Sequence, residues 1–167
     1  MITISEATAD DFGIISEIAY KTWPSTYGNI LSKVQLNYML DLFYSVDGLN
    51  KNLRSGHHFL IAKEDGIALG FASYVHDYPK IHMTKIPKIY MLPEAQGKGI
   101  GKILIDGISA IAKINDSDVL TLNVNRSNKA LGFYEKLGFE IVGEEDIELD
   151  HGYLMEDFIM EKRLPQP

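Results

Sequence analysis

The sequence predicts an α/β fold in which a mixed central sheet of about seven strands carries helices on both faces. Three observations lead to this prediction. An alternating strand at the N-terminus is followed by helical segments, an Asp-Gly pair separates two β-type runs, and a glycine-rich turn joins a later strand to a helix. A chain of 167 residues, 46% of them hydrophobic, is long enough for one domain with a sizeable core, residues 1–167.

The first third of the chain reads as a strand followed by helices. Thr8 with Asp11 resembles a capping box, and Ser32 with Gln35 is a complete one, so each pair begins a helix. Pro24 predicts a break in the first helix. The expected elements are a strand at 2–6, a helix ending near 23, a break at 23–28, a helix from 32 that ends at 46–48, and a short helix at 49–54.

The rest of the chain alternates strands and helices. Asp65-Gly66 is a strong hairpin signal. Pro87 cannot donate to a ladder, so the strand that contains it is expected to be an edge strand or to carry a bulge. Gly138 is expected to end a helix. The expected elements are strands at 58–63, 67–77 and 81–92, a helix at 99–113, a strand at 119–124, a helix through 130–137, and a hairpin of 139–149 with 153–163.

The composition excludes several classes of function. With 16 basic and 23 acidic residues the net charge is −7, which argues against nucleic-acid binding. No apolar run is long enough for a membrane helix and no signal peptide is visible, so a cytoplasmic protein is expected. The absence of cysteine excludes disulfides, a thiolate nucleophile and a zinc–cysteine site, and no metal is expected.

The charges are unevenly distributed. Five lysines and one acid lie between Lys80 and Lys102, whereas nine acids and no lysine or arginine lie between Glu140 and Glu161. A basic middle and an acidic end suit an anionic cofactor and a cationic acceptor. Two solvated faces of opposite sign are an equally good explanation for any one of these residues.

The strand, turn and helix at residues 86–105 form the segment around which the chain is organised. Pro93 ends the strand, Gln96 to Lys102 form the turn, and a helical period begins at Ile100. The first N–H groups of a helix have no intrahelical partner, and glycine allows an anion to approach the backbone closely. The segment therefore predicts a phosphate site.

Two well-known phosphate loops do not fit this spacing. The nucleoside-triphosphatase loop needs Gly, four residues, then Gly-Lys-Ser/Thr, but Gln96 and Ile103 stand at the first and last of these positions. The dinucleotide fingerprint needs G-x-G-x-x-G, whereas Gly97, Gly99 and Gly101 give G-x-G-x-G.

The turn does resemble the acetyl-CoA loop of the Gcn5-related N-acetyltransferases (GNAT), Gln/Arg-x-x-Gly-x-Gly/Ala, in which Gln96, Gly99 and Gly101 match. A second typical run contains Asn128, Ala130, Phe133-Tyr134 and Gly138-Phe139, and the order of elements is similar along the full chain. The resemblance implies the GNAT fold and direct transfer of acetyl from acetyl-CoA (coenzyme A) to a primary amine. A direct transfer needs no covalent intermediate.

The resemblance also implies roles for individual residues. Tyr134 would be the acid that protonates the departing CoA thiolate. Asn128 would hydrogen-bond the pantetheine arm, and Lys136 would approach the adenosine end. The residues expected to bind the cofactor are Tyr90, Met91, Leu92, Gln96, Gly97, Lys98, Gly99, Ile100, Gly101, Lys102, Asn123, Asn128, Phe133, Tyr134 and Lys136.

The base that deprotonates the amine has no obvious candidate. Many members of the family carry a carboxylate late in the fourth strand, but this chain has no acid between Lys80 and Leu92. The remaining candidates are a chain of waters, His76, His82 and Asp77.

The acceptor is less well defined than the cofactor. Parts of both ends of the chain are similar to bacterial spermidine/spermine acetyltransferases of the PaiA type, which implies a polyamine or another small cationic amine. The residues expected to contact it are Trp23, Tyr27, His76, Asp150 and Tyr153. A protein N-terminus or lysine as acceptor, and a non-catalytic acyl-CoA sensor, are the alternatives. The chain is expected to be a monomer or a homodimer.

Overall fold

The computed structural model describes residues 1–165, which contain eight β-strands and five α-helices. The helices are α1 Phe12–Tyr27, α2 Lys33–Tyr44, α3 Val46–Arg54, α4 Ile100–Ile114 and α5 Leu131–Lys136. The strands are β1 Ile2–Glu6, β2 His58–Glu64, β3 Ile67–His76, β4 Met83–Lys85, β5 Ile89–Met91, β6 Val119–Asn125, β7 Glu140–Glu148 and β8 Leu154–Arg163. No helix within residues 1–165 is both long enough and apolar enough to cross a bilayer.

The chain forms two compact units, the first of which contains Met1–Val75 and Lys88–Ile108. Its strands pair antiparallel in the order β1-β2-β3-β5. On one face of this sheet the Phe12 ring of α1 packs edge-on against Phe59, with ring centroids 5.2 Å apart. On the other face Gly107 of α4 lies against Ile4. Helices therefore cover both faces here, as predicted.

The second unit contains His76–Pro87 and the chain from Ser109 onward. Its strands pair in the order β4-β6-β8-β7, with β4 parallel to β6 and the other pairs antiparallel, so the sheet is mixed as predicted. Alternate residues of β6 and β8 form the core, with Leu120, Leu122 and Met160 all at most 1% exposed.

Local turn signals are confirmed where the sequence was clearest. Asp65 and Gly66 both have positive φ, 52° and 79°, and join β2 to β3 as the predicted hairpin. The Ser32 hydroxyl accepts the Gln35 N–H at 3.1 Å and begins α2. Gly138 has φ 98° and follows α5.

The predicted break at residues 23–28 is wrong, because α1 continues through Pro24 to Tyr27. Proline removes one helical hydrogen bond and disfavours a helix interior. Trp23 and Tyr27, one turn apart, are both buried and pack together with ring centroids 4.6 Å apart. Burial of two large rings outweighs the local cost of the proline.

The predicted end of the second helix at 46–48 is also wrong. Helix α2 ends at Tyr44, and these residues are the first turn of α3. The Ser45 hydroxyl accepts the Gly48 N–H at 3.1 Å and caps that turn. Gly48 suits the position because a Cβ would lie only 2.5 Å from the Leu42 carbonyl oxygen.

The single strand predicted at 81–92 is two short strands, β4 and β5, which raises the number of strands to eight. Before Pro87, the Ile86 N–H donates to the Thr121 carbonyl at 2.9 Å. After it, the Lys88 carbonyl accepts the Ser73 N–H at 2.8 Å. The chain therefore changes its pairing partner at Pro87, which has no N–H to donate.

Gly70 allows β3 and β5 to approach, so Gly70→Ala is expected to destabilise the protein. The new Cβ would lie 2.9 Å from the Tyr90 carbonyl oxygen, 3.1 Å from Ile100 Cγ2 and 3.2 Å from Met91 Cα. We expect a loss of about 1–3 kcal/mol in urea unfolding. In Gly13→Ala, the control, a Cβ meets no described atom within 4 Å, and stability should not fall. Equal stabilities for the two variants would contradict the prediction.

Candidate functional site

The turn between β5 and α4 is open on its glycine side. Gly97 and Gly99 have φ values of 87° and 77°, in the left-handed region that favours glycine. A Cβ on either residue would meet no atom of residues 1–165 within 4 Å. The backbone at these positions is therefore accessible to a ligand group.

The N–H groups of this turn are mostly unused within the described chain. The Lys98 N–H donates to Ala95 at 3.4 Å and the Ile103 N–H to Gly99 at 3.0 Å. In residues 1–165, no backbone carbonyl accepts from five other N–H groups, those of Gly97, Gly99, Ile100, Gly101 and Lys102. A row of amides at the start of a 15-residue helix fits the diphosphate of a CoA molecule.

The lysine side chains of the turn are already paired. Lys98 Nζ lies 2.7 Å from Glu64 Oε1, and Lys102 Nζ lies 2.7 Å from Asp106 Oδ2. The Lys98 ammonium lowers the pKa of Glu64. Solvent-exposed pairs of this kind are weak and can rearrange. The backbone amides, and not these side chains, are therefore the groups that the turn offers to an anion.

Strand β5 directs its backbone groups to two sides. Tyr90 lies opposite Phe71, and the Leu92 N–H donates to the Leu69 carbonyl at 2.8 Å. In an antiparallel pair alternate residues face the partner strand, so Ile89 and Met91 direct their N–H and carbonyl groups away from β3. Of the three predicted pantetheine contacts, Met91 is the one whose N–H points to that side. Its carbonyl accepts from Thr22 Oγ1 at 3.3 Å.

The two predicted acceptor residues on α1 lie in a buried aromatic cluster of the first unit. Trp23 is 4% and Tyr27 9% exposed. The Trp23 ring packs on Tyr44 and Tyr90, with centroids 5.3 and 6.0 Å apart, and the Tyr27 and Tyr90 hydroxyls are 2.9 Å apart. These rings have a clear packing role. Trp23 Nε1 is buried and has no hydrogen-bond partner within residues 1–165.

Lys88 lies against the same cluster and was not predicted as a site residue. It is 7% exposed, and its Nζ lies 4.5 Å from the Tyr44 ring centroid and 5.4 Å from that of Phe43. Among residues 1–165 no carboxylate pairs with it. Burial lowers the pKa of Lys88 from 10.5 to about 8. The signal in the sequence was that Lys88 alternates with Tyr90 and Leu92, which places the three side chains on the same face of an extended strand.

The lowered pKa predicts that Lys88→Met stabilises the fold. The unfolded chain binds the Lys88 proton more tightly than the folded chain does. The charged amine therefore lowers the free energy of unfolding by its full amount below pH 8, and this destabilisation disappears as the pH rises through 10.5. A change from 10.5 to about 8 corresponds to about 3 kcal/mol. Urea unfolding should show that Lys88→Met raises the free energy of unfolding by about this amount at pH 7, and that the difference from wild type decreases toward pH 10.5. Lys113→Met, at an exposed position, should change stability by less than about 0.5 kcal/mol. A gain independent of pH would contradict this.

In the second unit, Tyr134 is held by aromatic packing. It is 8% exposed, with ring centroids 5.3 Å from Phe133 and 6.0 Å from Phe139. The Asn128 side-chain oxygen accepts the Ala130 N–H at 2.9 Å and supports the turn into α5. That oxygen therefore has a structural role, which leaves the amide NH₂ as the donor that Asn128 could offer to a ligand. Phe133 and Lys136 are exposed.

Asn123 contacts a carboxylate that sequence reasoning did not single out. Its Nδ2 lies 3.3 Å from Asp157 Oδ2 and 3.4 Å from Glu145 Oε2. Asp157 is 4% exposed, and burial raises its pKa, with the Glu145 charge acting in the same direction and the Asn123 hydrogen bond opposing it. Arg126 bonds to Asp146 and lies 3.9 Å from Glu144. We call Glu144, Glu145, Asp146 and Asp157 the acidic cluster.

The predicted base candidates have local partners. His76 Nδ1 lies 3.0 Å from Thr84 Oγ1, and His82 Nδ1 lies 3.0 Å from the Asp116 carbonyl. Asp77 accepts the His82 N–H at 2.9 Å. Of the predicted acceptor contacts on the last hairpin, Asp150 is exposed and Tyr153 half-buried, beside His151.

Comparison with known proteins assigns the family. Residues 55–141 match the acetyltransferase (GNAT) domain. A spermidine N(1)-acetyltransferase of Thermoplasma acidophilum is 31% identical over 97% of each chain. The crystal structure of a PaiA N-acetyltransferase from the same organism, in complex with coenzyme A, superposes with a TM-score of 0.80 and 29% identity over 98% of this chain and 99% of that one.

A more distant structure shares the fold alone. The ribosomal-protein-S18-alanine N-acetyltransferase of Escherichia coli superposes with a TM-score of 0.73 at 18% identity, over 100% of this chain and 96% of that chain. Together with the open amide turn after β5, the matches confirm the predicted fold, enzyme class and acetyl donor. The chain belongs to the GNAT family of acetyl-CoA-dependent N-acetyltransferases.

Proposed function

We propose that the chain acetylates a small cationic amine and that a polyamine is its favoured acceptor. The observation that carries this proposal is the acidic cluster of four carboxylates, of which Arg126 pairs with Glu144 and Asp146, whereas Asn123 contacts the carboxylates of Glu145 and Asp157. An excess of negative charge attracts an acceptor with several ammonium groups.

The relatives support the same acceptor class. The Thermoplasma relative that matches almost the whole chain carries the name spermidine N(1)-acetyltransferase. Relatives named as peptidyl-lysine acetyltransferases, such as YjaB of Salmonella typhimurium, match over only 36% of this chain. A polyamine acceptor therefore has the broader support, and a lysine side chain on a protein is the second candidate.

In the proposed reaction some residues bind the cofactor and the acceptor, and Tyr134 transfers a proton. The amides of residues 97–102 hold the diphosphate, and the outward groups of β5 pair with the pantetheine arm. Tyr134 donates a proton to the thiolate as the carbon–sulfur bond breaks. Asn123, Asn128, Phe133 and Lys136 are proposed contacts along the cofactor, and His76, Asp150 and Tyr153 along the acceptor.

The test is a thiol-release assay with acetyl-CoA and a panel of amines. The panel contains spermidine, spermine, putrescine, free amino acids, an aminoglycoside and a lysine peptide. We expect kcat/KM for spermidine or spermine to exceed that for the peptide by about tenfold or more, since several ionic contacts of about 0.5–1 kcal/mol each add together. Faster turnover of the peptide would identify the second candidate. Tight CoA binding without turnover of any amine would favour the sensor.

Charge-removing variants test the cluster itself. Glu145→Gln is expected to raise KM for spermidine several-fold and to leave kcat nearly unchanged, because it removes binding and not chemistry. Glu140→Gln is the matched control, since it removes an exposed charge from the other end of β7. Equal KM values for both variants would remove the cluster from acceptor binding.

A further inference from the structure

Lys88 is the most unusual titratable group of the first unit. It is a cation, 7% exposed, and is held by ring faces. Cations buried to this extent are normally paired with a carboxylate, because desolvation disfavours the charge. The proposed function gives Lys88 no role, and its burial carries a cost in stability. Such a group calls for an explanation.

The contacts described for Lys88 are with uncharged groups of the first unit. From α2 the Tyr44 ring and the Phe43 ring face Nζ. From β3 the directly opposed residue is Ser73, whose N–H donates to the Lys88 carbonyl, so the two side chains lie on the same face. The one carboxylate on α2, that of Asp41, accepts a hydrogen bond from the Tyr20 hydroxyl. No described negative charge therefore stabilises the ammonium form, and burial favours the neutral amine.

A second polar atom beside Lys88 is also unsatisfied. Ser73 is fully buried, and its Oγ has no hydrogen-bond partner within residues 1–165. A buried hydroxyl without a partner is destabilising, so native structures usually supply one. An amine and a hydroxyl on adjacent strands thus share a face with donor and acceptor capacity to spare. This arrangement suits a bound polar group or a single bridging water.

We propose that the Lys88 amine is the base that removes a proton from the ammonium group of the acceptor, directly or through one water positioned by Ser73. The proposal rests on the proposed function. Lys88 directly precedes β5, along which the pantetheine arm is proposed to lie, so it is adjacent in sequence to the strand that would present the thioester. A cationic acceptor disfavours protonation of Lys88 and keeps the base in its neutral form.

The protons balance in this scheme. The acceptor ammonium carries three N–H protons. Lys88 takes one and releases it to water after turnover, and one stays on the amide product. The third leaves the nitrogen as the nitrogen–carbon bond forms and the carbon–sulfur bond breaks. Tyr134 gives its proton to the thiolate, and the third proton, passed through solvent, restores the phenol. The products are the acetamide, CoA thiol and one proton released to solvent.

The decisive experiment is the pH dependence of kcat/KM, from pH 6.5 to 10.5, for wild type and two variants of Lys88. Lys88→Met removes the base, and Lys88→Arg keeps a cation that cannot be deprotonated. For wild type we expect an inflection near pH 8, the pKa of Lys88. Both variants should lose at least about tenfold at pH 7.5, and the loss should shrink as the free acceptor amine deprotonates near its pKa of about 10.4.

The control variant is Lys85→Met. Lys85 also lies over a tyrosine ring, 5.3 Å from the Tyr78 centroid, but is only half-buried, and its replacement should leave the inflection in place. CoA affinity, measured by calorimetry, and the thermal midpoint confirm that each variant is folded. The thermal midpoint of Lys88→Met is expected to rise under either role, because a buried charge is removed. A purely structural role for Lys88 would leave the shape of the pH profile unchanged.

Each outcome decides the proposal. Retention of the inflection near pH 8 in Lys88→Met, or wild-type activity in Lys88→Arg, would overturn the role of Lys88 and leave the proposed function standing. The variants and the wild type are compared with whichever amine the wild type acetylates fastest. If that amine is not a polyamine, the polyamine assignment is overturned and the test of Lys88 still stands. No turnover of any amine by wild type would overturn both.

Discussion

Gly99→Val is expected to abolish measurable binding of coenzyme A while the protein remains folded. Gly99 has φ 77°, and a side chain there would project into the open space beside the amides at the start of α4. A β-branched residue is strained at positive φ, and its methyl groups would occupy the position of the diphosphate. We expect the dissociation constant to rise by at least about 100-fold, or about 2.7 kcal/mol.

A matched variant separates this effect from backbone strain. Gly56 has φ 92° and no described atom within 4 Å of its Cβ position, but lies between α3 and β2, away from the amide turn. Gly56→Val should carry a similar conformational cost and bind CoA as the wild type does. Calorimetric titration of both variants and urea unfolding make the comparison. An affinity for Gly99→Val within threefold of wild type would show that the diphosphate is bound elsewhere.

Tyr134→Phe is expected to lower kcat about 100-fold at unchanged affinity for CoA. The substitution keeps the ring, which packs between Phe133 and Phe139, and removes only the hydroxyl that is proposed to protonate the thiolate. A donor that acts on the leaving group stabilises the transition state and not the ground state. The loss should therefore appear in kcat and kcat/KM equally.

A leaving-group series sharpens this test. Acyl donors whose thiols are more acidic need less protonation, so the defect of Tyr134→Phe should shrink with such donors. Tyr78→Phe removes a phenol from a half-exposed side chain and serves as the control with no expected change. Wild-type kcat in Tyr134→Phe with acetyl-CoA would exclude the phenol as the proton donor.

Features that depend on a few neighbouring residues could be predicted from the sequence. The Asp65-Gly66 hairpin, the Ser32 cap and the left-handed Gly138 all follow from local preferences that the fold does not oppose. The amide turn belongs to this class as well, because its glycines and the helical period after them are adjacent in sequence. The anion binding proposed for it follows from backbone geometry alone.

Features that depend on packing could not be predicted. Helix α1 continues through Pro24 because Trp23 and Tyr27 are buried by residues that are distant in sequence. The burial of Lys88 and Asp157 also depends on packing. Both are common charged residues within charged stretches, and only burial at 7% and 4% exposure distinguishes them from solvated neighbours. A sequence pattern predicts which face of a strand a side chain lies on, but not how deeply that side chain is buried.

The change of pairing partner at Pro87 has a consequence for how insertions and deletions act on this chain. Side chains alternate along an extended strand, so the parity of the residue count between Ile86 and Ile89 decides which of them enter the aromatic cluster. Loss of Pro87, with Ile86 kept in place, would move Lys88 to an outward position and Ile89 to an inward one. The position of the Lys88 amine thus depends on the length of this segment. Residues 86–89 should therefore accept substitutions more readily than insertions or deletions.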